Sequence, residues 1–276
     1  MPAKTTRIFS DVHYGDRASG VLAVRQLRGL TDGVESIILN GDTLDTRAGP
    51  HPERMAEQRA EVLAYFSDAA GAVTYVTGNH DPDISVCHAC ELAGGEVFVT
   101  HGDVVFDEIV PWGRDAGVIR RRLREVWPAH GGATLEEQLA AWRLVAAEIP
   151  QRHQSERHPL KYALRFAADT IWPPWKALLI LNAWRIQPPR IAALTRRHRP
   201  SARFAIVGHT HYPGIWTVDG VTVINTGSFC GPLGGLTVDI EPGRLAVRRL
   251  ERVRGEYRAG KMLREFTLAG APAADH

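Results

Sequence analysis

Cysteine is scarce in this chain of 276 residues. Cys87, Cys90 and Cys230 are the only three, too few and too oddly numbered for a disulfide framework, so a reducing compartment is the default. No apolar run approaches the roughly 20 residues that a membrane-spanning helix needs. The opening residues lack the charged, apolar and small-residue succession of a secretory signal. The expected location is the cytoplasm, with peripheral contact at the inner membrane surface as a second option. Internal repeats and low-complexity tracts are missing as well. No sign of charge dominates: 33 Lys and Arg stand against 31 Asp and Glu, a net +2 with 12 His taken as neutral. The whole-molecule balance therefore selects no class of partner. A composition 44% hydrophobic and 23% charged is that of a globular protein. The length suits a single domain, residues 1–276, carrying a sizeable insertion.

What the sequence does contain is a repeated event. Short apolar runs, each reading as a buried strand, stop at polar clusters. Arg7–Ser10 ends at Asp11-Val12-His13, Ser36–Asn40 at Gly41-Asp42, and Val73–Thr77 at Gly78-Asn79-His80-Asp81. Glu96–Thr100 ends at His101-Gly102-Asp103, and Phe204–Val207 at Gly208-His209-Thr210-His211. Helical spacing over Val21–Leu30 and from Pro52 to about Ala70 alternates with the strands, which predicts an α/β layered fold. Ligands of such sheets sit at the carboxyl ends of strands, so all five clusters can meet at one edge. After Gly214, short β runs and the turn signals Asp219-Gly220 and Pro242-Gly243 read as an antiparallel meander.

The clusters offer Asp11, His13, Asp42, Asn79, His101, His209 and His211, all oxygen or imidazole donors without a thiolate. Such a set suits Mn first, with Fe or Zn as alternatives. Seven donors exceed the needs of one ion. If one carboxylate bridges, they divide between two cations roughly 3.5–4 Å apart. Asp81 has two compatible readings, as a carboxylate partner for His80 or as a helix cap ahead of Pro82. Asp45 reads as a supporting residue or a turn cap, and Asp103 as a partner for a ligating imidazole or a plain turn residue. Cys87-His88-Ala89-Cys90 lacks the second Cys/His pair of a tetrahedral site and reads as a partly buried helical turn. Trp216 reads as core.

These five motifs resemble those of the calcineurin-like metallophosphoesterases, and Asn225-Thr226-Gly227-Ser228 is similar to a further loop of that family. The resemblance implies a four-layer α-β-β-α sandwich of two mixed sheets. It also implies a first cation on Asp11, His13, Asp42 and His211, and a second on Asp42, Asn79, His101 and His209. His80 would be the catalytic histidine and Asp81 its orienting partner.

Residues 112–200 differ in texture and read as a helical insertion, with patterns at Val118–Trp127, Leu135–Ile149, Leu160–Ile171 and Trp175–Ile186 broken by prolines, among them Pro188-Pro189. Six of the seven tryptophans lie there. Fourteen Arg and two Lys face seven acidic residues, a net +9, which leaves −7 for the rest of a chain whose total is +2. That segregation favours an anionic or amphipathic substrate. Arg114 and Arg121 are candidate phosphate-gripping residues. The apolar stretch Ile171–Leu181 reads as an acyl-chain groove, a membrane contact or a helix buried between helices. An insertion at this place is similar to that of the UDP-2,3-diacylglucosamine pyrophosphatases, although His80-Asp81 follows the generic phosphatase and phosphodiesterase pattern where those enzymes usually carry arginine. The expected activity is hydrolysis of a phosphomono- or phosphodiester, with a nucleotide-sugar lipid as one specific substrate. The alternatives are a metal-dependent nuclease acting on nucleic acid, and a catalytically dead binding protein on the same fold.

Overall fold

The computed structural model describes residues 4–69, 71–129, 134–151 and 173–269. Its strands form two mixed sheets. In the first, β1 (Thr6–Phe9), β2 (Ser36–Asn40) and β3 (Ala72–Val76) are parallel, and β9 (Leu236–Glu241), β10 (Arg244–Val253) and β11 (Glu256–Thr267) continue it antiparallel in the order β11-β10-β9-β1-β2-β3. The second runs β4-β5-β6-β8-β7. Here β5 (Val97–Thr100), β6 (Phe204–Val207) and β8 (Val221–Asn225) are parallel between antiparallel edges β4 (Ala89–Leu92) and β7 (Gly214–Val218).

The apolar runs are continuous because both faces of these strands are covered. Successive side chains point to opposite faces. Ile8, Ile38, Val97, Val99, Phe204 and Ile206 meet between the sheets. Their neighbours Phe9, Ile37 and Leu39 pack outward with Val62 and Phe66 of α2 (Pro52–Ala69). On the opposite outer face, Phe98, Ala205 and Val207 meet α3 (Ala116–Ala129), α4 (Leu135–Glu148) and α5 (Trp175–His198) through Ile119, Leu123, Leu139, Val145 and Ile191. The result is the expected α-β-β-α sandwich, and α3, α4 and α5 supply one of its outer layers. Among the described residues, no helix is long and apolar enough to cross a membrane.

Several local expectations change. Val21, Val24, Leu27 and Leu30 are buried at helical spacing, but the segment is a 3-10 turn at Val24–Leu27 and a single α turn, α1 (Arg28–Thr31). Cys87–Cys90 is no helical turn: Cys87 bridges Val76 and Cys90 lies in edge strand β4. The helix expected to break at Pro188-Pro189 runs on to His198. Proline removes an N–H and crowds the preceding turn, yet Ile191, Ala192 and Thr195 beyond the pair are buried. Their burial outweighs two missing hydrogen bonds. The meander divides between the sheets, β7 and β8 in one and β9, β10 and β11 in the other. The helix expected at Leu160–Ile171 lies outside the described residues.

Candidate metal centre

β1, β2 and β3 of the first sheet and β5 and β6 of the second all end at the same rim of the sandwich. Asn40, the fully buried last residue of β2, stitches the sheets together there. Its Nδ2 donates to the carbonyls of Thr100 (3.0 Å) and Ile206 (3.2 Å), and its own carbonyl accepts from His101 Nδ1 (3.0 Å). That last bond turns the other imidazole nitrogen, Nε2, toward Asp42, with Oδ2 at 3.3 Å.

All seven expected donors gather at this rim. Asp11, His13 and His211 form one group with ligand atoms within 4.8 Å of one another, and Asp42, His101 and His209 form another. A third group, His13, Asp42 and His80, links them. His13 Nε2 lies 3.1 Å from His211 Nε2 and 3.7 Å from Asp42 Oδ2, and His211 Nε2 lies 3.1 Å from Asp11 Oδ1. Asn79 Oδ1 sits 2.8 Å from His209 Nδ1 and 3.3 Å from His101 Nε2. His209 Nε2 donates to the Ile109 carbonyl (2.8 Å), which leaves Nδ1 as its ligand atom. Only His211 among the seven is not buried.

The backbone here is held in an unusual shape. Asp11, His13, Asp42, His209 and His211 have φ of 52°, 47°, 52°, 71° and 56°. Left-handed conformations of non-glycine residues cost on the order of 1–3 kcal/mol each and persist where their surroundings impose them. The imposing bonds join the first-sheet loops to one another and tie the His209 loop of the second sheet to Asp11. His209 N donates to both Asp11 carboxylate oxygens (3.1 Å each), His80 N to Asp42 Oδ1 (2.8 Å), and His13 N to the Asp42 carbonyl (2.9 Å). Two glycines are required by contact: a Cβ at Gly78 would strike the Asp42 carboxylate, and one at Gly208 the Asp11 carboxylate.

The electrostatics suit cations. Burial, reinforced by neighbouring histidines, lowers the pKa of His13 and of His209 to about 4, so both are neutral near pH 7 and able to donate to a cation. Burial alone would raise Asp42, but His101 and the surrounding imidazoles hold it well below the ordinary carboxylate range. Burial would lower His101, and the Asp42 carboxylate overrides it, raising the imidazole to about 10. Without a cation, a proton thus occupies the gap between His101 and Asp42. Oxygen and imidazole donors with buried carboxylates and no thiolate fit divalent ions such as Mn, Fe or Zn.

His80 lies beside this group with its ring 4.9 Å from that of His13. Its orienting partner is Asp45, not Asp81. Asp45 Oδ2 is 3.1 Å from His80 Nδ1, and Arg47 Nη2 is 2.8 Å from the same nitrogen while also pairing with Asp45. Burial and Arg47 oppose protonation of His80, but Asp42 and Asp45 prevail and its pKa is raised. Asp81 also caps no helix. Its buried carboxylate accepts the backbone N–H groups of Gly78 (2.8 Å), Asp42 (2.9 Å), Thr43 (2.7 Å) and Leu44 (3.3 Å) and so shapes the Asp42 loop. Asp103 is more than a turn residue: it forms a buried ion pair with Arg143 of α4. Arg47 and Arg143 escaped the sequence reading. Asp45, three residues after Asp42 in Gly41-Asp42-Thr43-Leu44-Asp45, carried the only signal for the His80 partner.

Two cavities open onto the centre. A large one of about 1330 Å³ is lined by Asn79, His80 and the cations Arg17, Arg47, Arg54, Arg114 and Lys176, with Asp16, Asp45, Glu53 and Asp115 among them. A smaller slot of about 230 Å³ is walled by Val110, Trp112, Ile180 and Trp184 and reaches Asp42, His209 and His211. Asn79, His80, Val110 and Trp112 belong to both. Of the two arginines singled out in the sequence, Arg114 lines the large cavity, while Arg121 is exposed and lines neither. The outer face of the apolar helix is exposed at Trp175 (63%), Leu178 (66%) and Leu181 (54%). Trp216 is half-buried rather than core, near Tyr212.

A family model described as calcineurin-like phosphoesterase matches residues 5–213. No curated protein matches the sequence. In structure, the chain is similar to a dimetal phosphatase from Danio rerio, with 16% identity over 98% of this chain and 100% of that one and a TM-score of 0.47. It is also similar to a predicted phosphoesterase from Streptococcus pneumoniae (15% identity, 97% and 99% covered, TM-score 0.41). Vps29 from Cryptosporidium parvum is a third (12% identity, 97% and 100% covered, TM-score 0.47).

Proposed function

Because the chain belongs to the calcineurin-like phosphoesterases, we propose that it hydrolyses a phosphoric ester with two divalent cations sharing Asp42. Asp11, His13, Asp42 and His211 would hold the first, and Asp42, Asn79, His101 and His209 the second. The observation that carries this reading is the linkage of the two outer donor groups through Asp42 and His13. When bound, the cations supply Lewis acidity that acidifies water and neutralises phosphoryl charge. Manganese is the first choice, with iron or zinc as alternatives.

The chain's own residues do the rest. His80 Nδ1 donates to Asp45, and Arg47 fixes that carboxylate in place. That leaves Nε2 to carry the proton that a departing alkoxide requires, on a side chain 28% exposed to the cavities. Arg47 and Arg114 on the wall of the large cavity attract and orient an anionic arm of the substrate. The slot of Val110, Trp112, Ile180 and Trp184 excludes water on the opposite side and accepts an apolar arm. A phosphodiester or pyrophosphate with one polar and one apolar substituent fits this pair of chambers, and a nucleotide-sugar lipid is one such molecule. The arginines that line the large cavity also support a second reading, a nuclease, whose binding would fall steeply with salt.

The test is turnover of a panel by the chain loaded with Mn, Fe or Zn: 4-nitrophenyl phosphate, bis(4-nitrophenyl) phosphate, nucleotides, nucleotide-linked lipids and single-stranded DNA. Metal-dependent cleavage of diesters, best with one apolar arm, supports the proposal. Cleavage of DNA alone selects the nuclease, and no turnover by fully loaded protein leaves a binding protein.

A further inference from the structure

We propose that Gln187 and Trp184 of α5 are positioning residues that hold the Gly208–His211 loop in its metal-binding shape. The proposal rests on the two-cation reading above and adds a dependence of that centre on the inserted helix.

The grip is specific. Gln187 is 2% exposed, an amide inside an otherwise apolar contact between α5 and the second sheet. Its Nε2 donates to the Gly208 carbonyl (3.0 Å), and its Oε1 accepts from Thr210 Oγ1 (2.8 Å) and Asn225 Nδ2 (2.7 Å). Asn225, at the end of β8, completes the network: Nδ2 also reaches the Gly208 carbonyl (2.8 Å) and Thr210 Oγ1 (2.9 Å). One turn earlier, Trp184 Nε1 donates to the Thr210 carbonyl (3.0 Å), and its ring stacks on Tyr212 at 4.4 Å and 10°. Residues 208, 210 and 212 are thus held by the helix, and the histidines between them, 209 and 211, face the cations.

Physical chemistry makes that hold consequential. His209 and His211 sit at φ 71° and 56°, a conformation that costs non-glycine residues on the order of 1–3 kcal/mol each. A loop in this state relaxes unless neighbouring bonds fix it. Asp11 fixes the His209 amide from the first sheet, but the three bonds to the Thr210 carbonyl and hydroxyl come from Trp184 and Gln187 of α5 and Asn225 of β8. Burial of Ile191, Ala192 and Thr195 anchors α5 on the far side of Gln187. Residues that orient metal ligands in this way typically change metal affinity about 10- to 100-fold when removed.

The test uses the full chain, stripped with a chelator and titrated with Mn²⁺ by calorimetry, with electron paramagnetic resonance reporting the coupled pair. Gln187→Met keeps the side-chain length and removes every hydrogen bond. It should weaken Mn²⁺ binding about 10- to 100-fold and delay the coupled spectrum to higher metal, while excess Mn²⁺ restores kcat. Trp184→Phe keeps the stack on Tyr212 and removes one donor. It should weaken binding about 3- to 10-fold, the worth of one hydrogen bond. Both variants binding two Mn²⁺ within twofold of the unmutated affinity would overturn the proposal. If Gln187→Met does not fold, Trp184→Phe decides alone. An unmutated chain that takes up no Mn²⁺ overturns the two-cation reading itself, and a chain that binds normally while only the variants are unchanged overturns this inference alone.

Discussion

The two sheets contribute differently to the same site. The first supplies its donors from β1, β2 and β3, and its loops hold one another: Asp81 gathers four backbone N–H groups of the Asp42 and Asn79 loops. The second supplies three histidines from β5 and β6, and these lean on α4 and α5. Gln187 and Trp184 hold the loop of His209 and His211, and Arg143 of α4 pairs with Asp103, two residues after His101. The acidic half of the centre is therefore held largely by its own loops, with Asp11 also bonded to the His209 and Phe229 amides. The imidazole half depends on residues more than twenty positions away in sequence, inside a segment that resembles no part of the five motifs.

The largest effect should come from the carboxylate both halves share. Asp42→Asn should cut metal-dependent turnover by about a thousandfold or more, since several kcal/mol of transition-state stabilisation rest on the cation pair. Near-normal kcat would remove the bridge from the account. His80→Ala should slow turnover by about 10²- to 10⁴-fold, the usual worth of a proton donor, with metal content unchanged on elemental analysis. A lost equivalent would make His80 a ligand. Asp45→Asn should shift the pH–rate profile on the side set by His80, and an unmoved profile would detach Asp45 from that role.

Stability sharpens the contrast from the other side. Arg143→Met leaves the Asp103 carboxylate fully buried without its partner, and urea unfolding should show a loss of about 3–5 kcal/mol. The Asp103 pKa lies below its ordinary value because Arg143 outweighs burial. The pair's contribution is therefore present above the unfolded carboxylate pKa and fades as pH falls through the folded one. Asp103→Asn should blunt that acid sensitivity.

The proton between His101 and Asp42 gives a smaller, two-sided effect. With His101 raised to about 10 in the metal-free chain, its stabilisation is complete below the unfolded value near 6.5 and is lost as pH rises toward 10. Metal must displace that proton, so affinity should rise over the same range. Thermal midpoints of the stripped protein and Mn²⁺ affinity should move in opposite directions between pH 7 and 10. Parallel movement would contradict the shared proton.

Much of the centre was legible in the sequence because each donor belongs to a local event, an apolar run ending at Asp, Asn or His. The runs Ser36–Asn40 and Phe204–Val207 coincide with β2 and β6. Elements governed by tertiary contacts were hidden. β4 contains only four residues at an edge, and β11 is mostly exposed and pairs with β10 across register shifts, so neither shows a clean alternation. α5 passes two prolines because its far half is buried. Asp81 looked like the partner of His80 because it is adjacent, whereas the fold brings Asp45 there from 35 positions away. Gln187 carried no signal, since a lone glutamine in an apolar helix becomes informative only once Gly208, Thr210 and Asn225 surround it.

The most direct measurement is the metal content of the pure chain after equilibrium dialysis against Mn²⁺, compared with Asp42→Asn. Two equivalents per chain, falling to one or none in the variant, are predicted. A chain that retains none, or a variant that keeps both, would contradict a cation pair joined by one carboxylate.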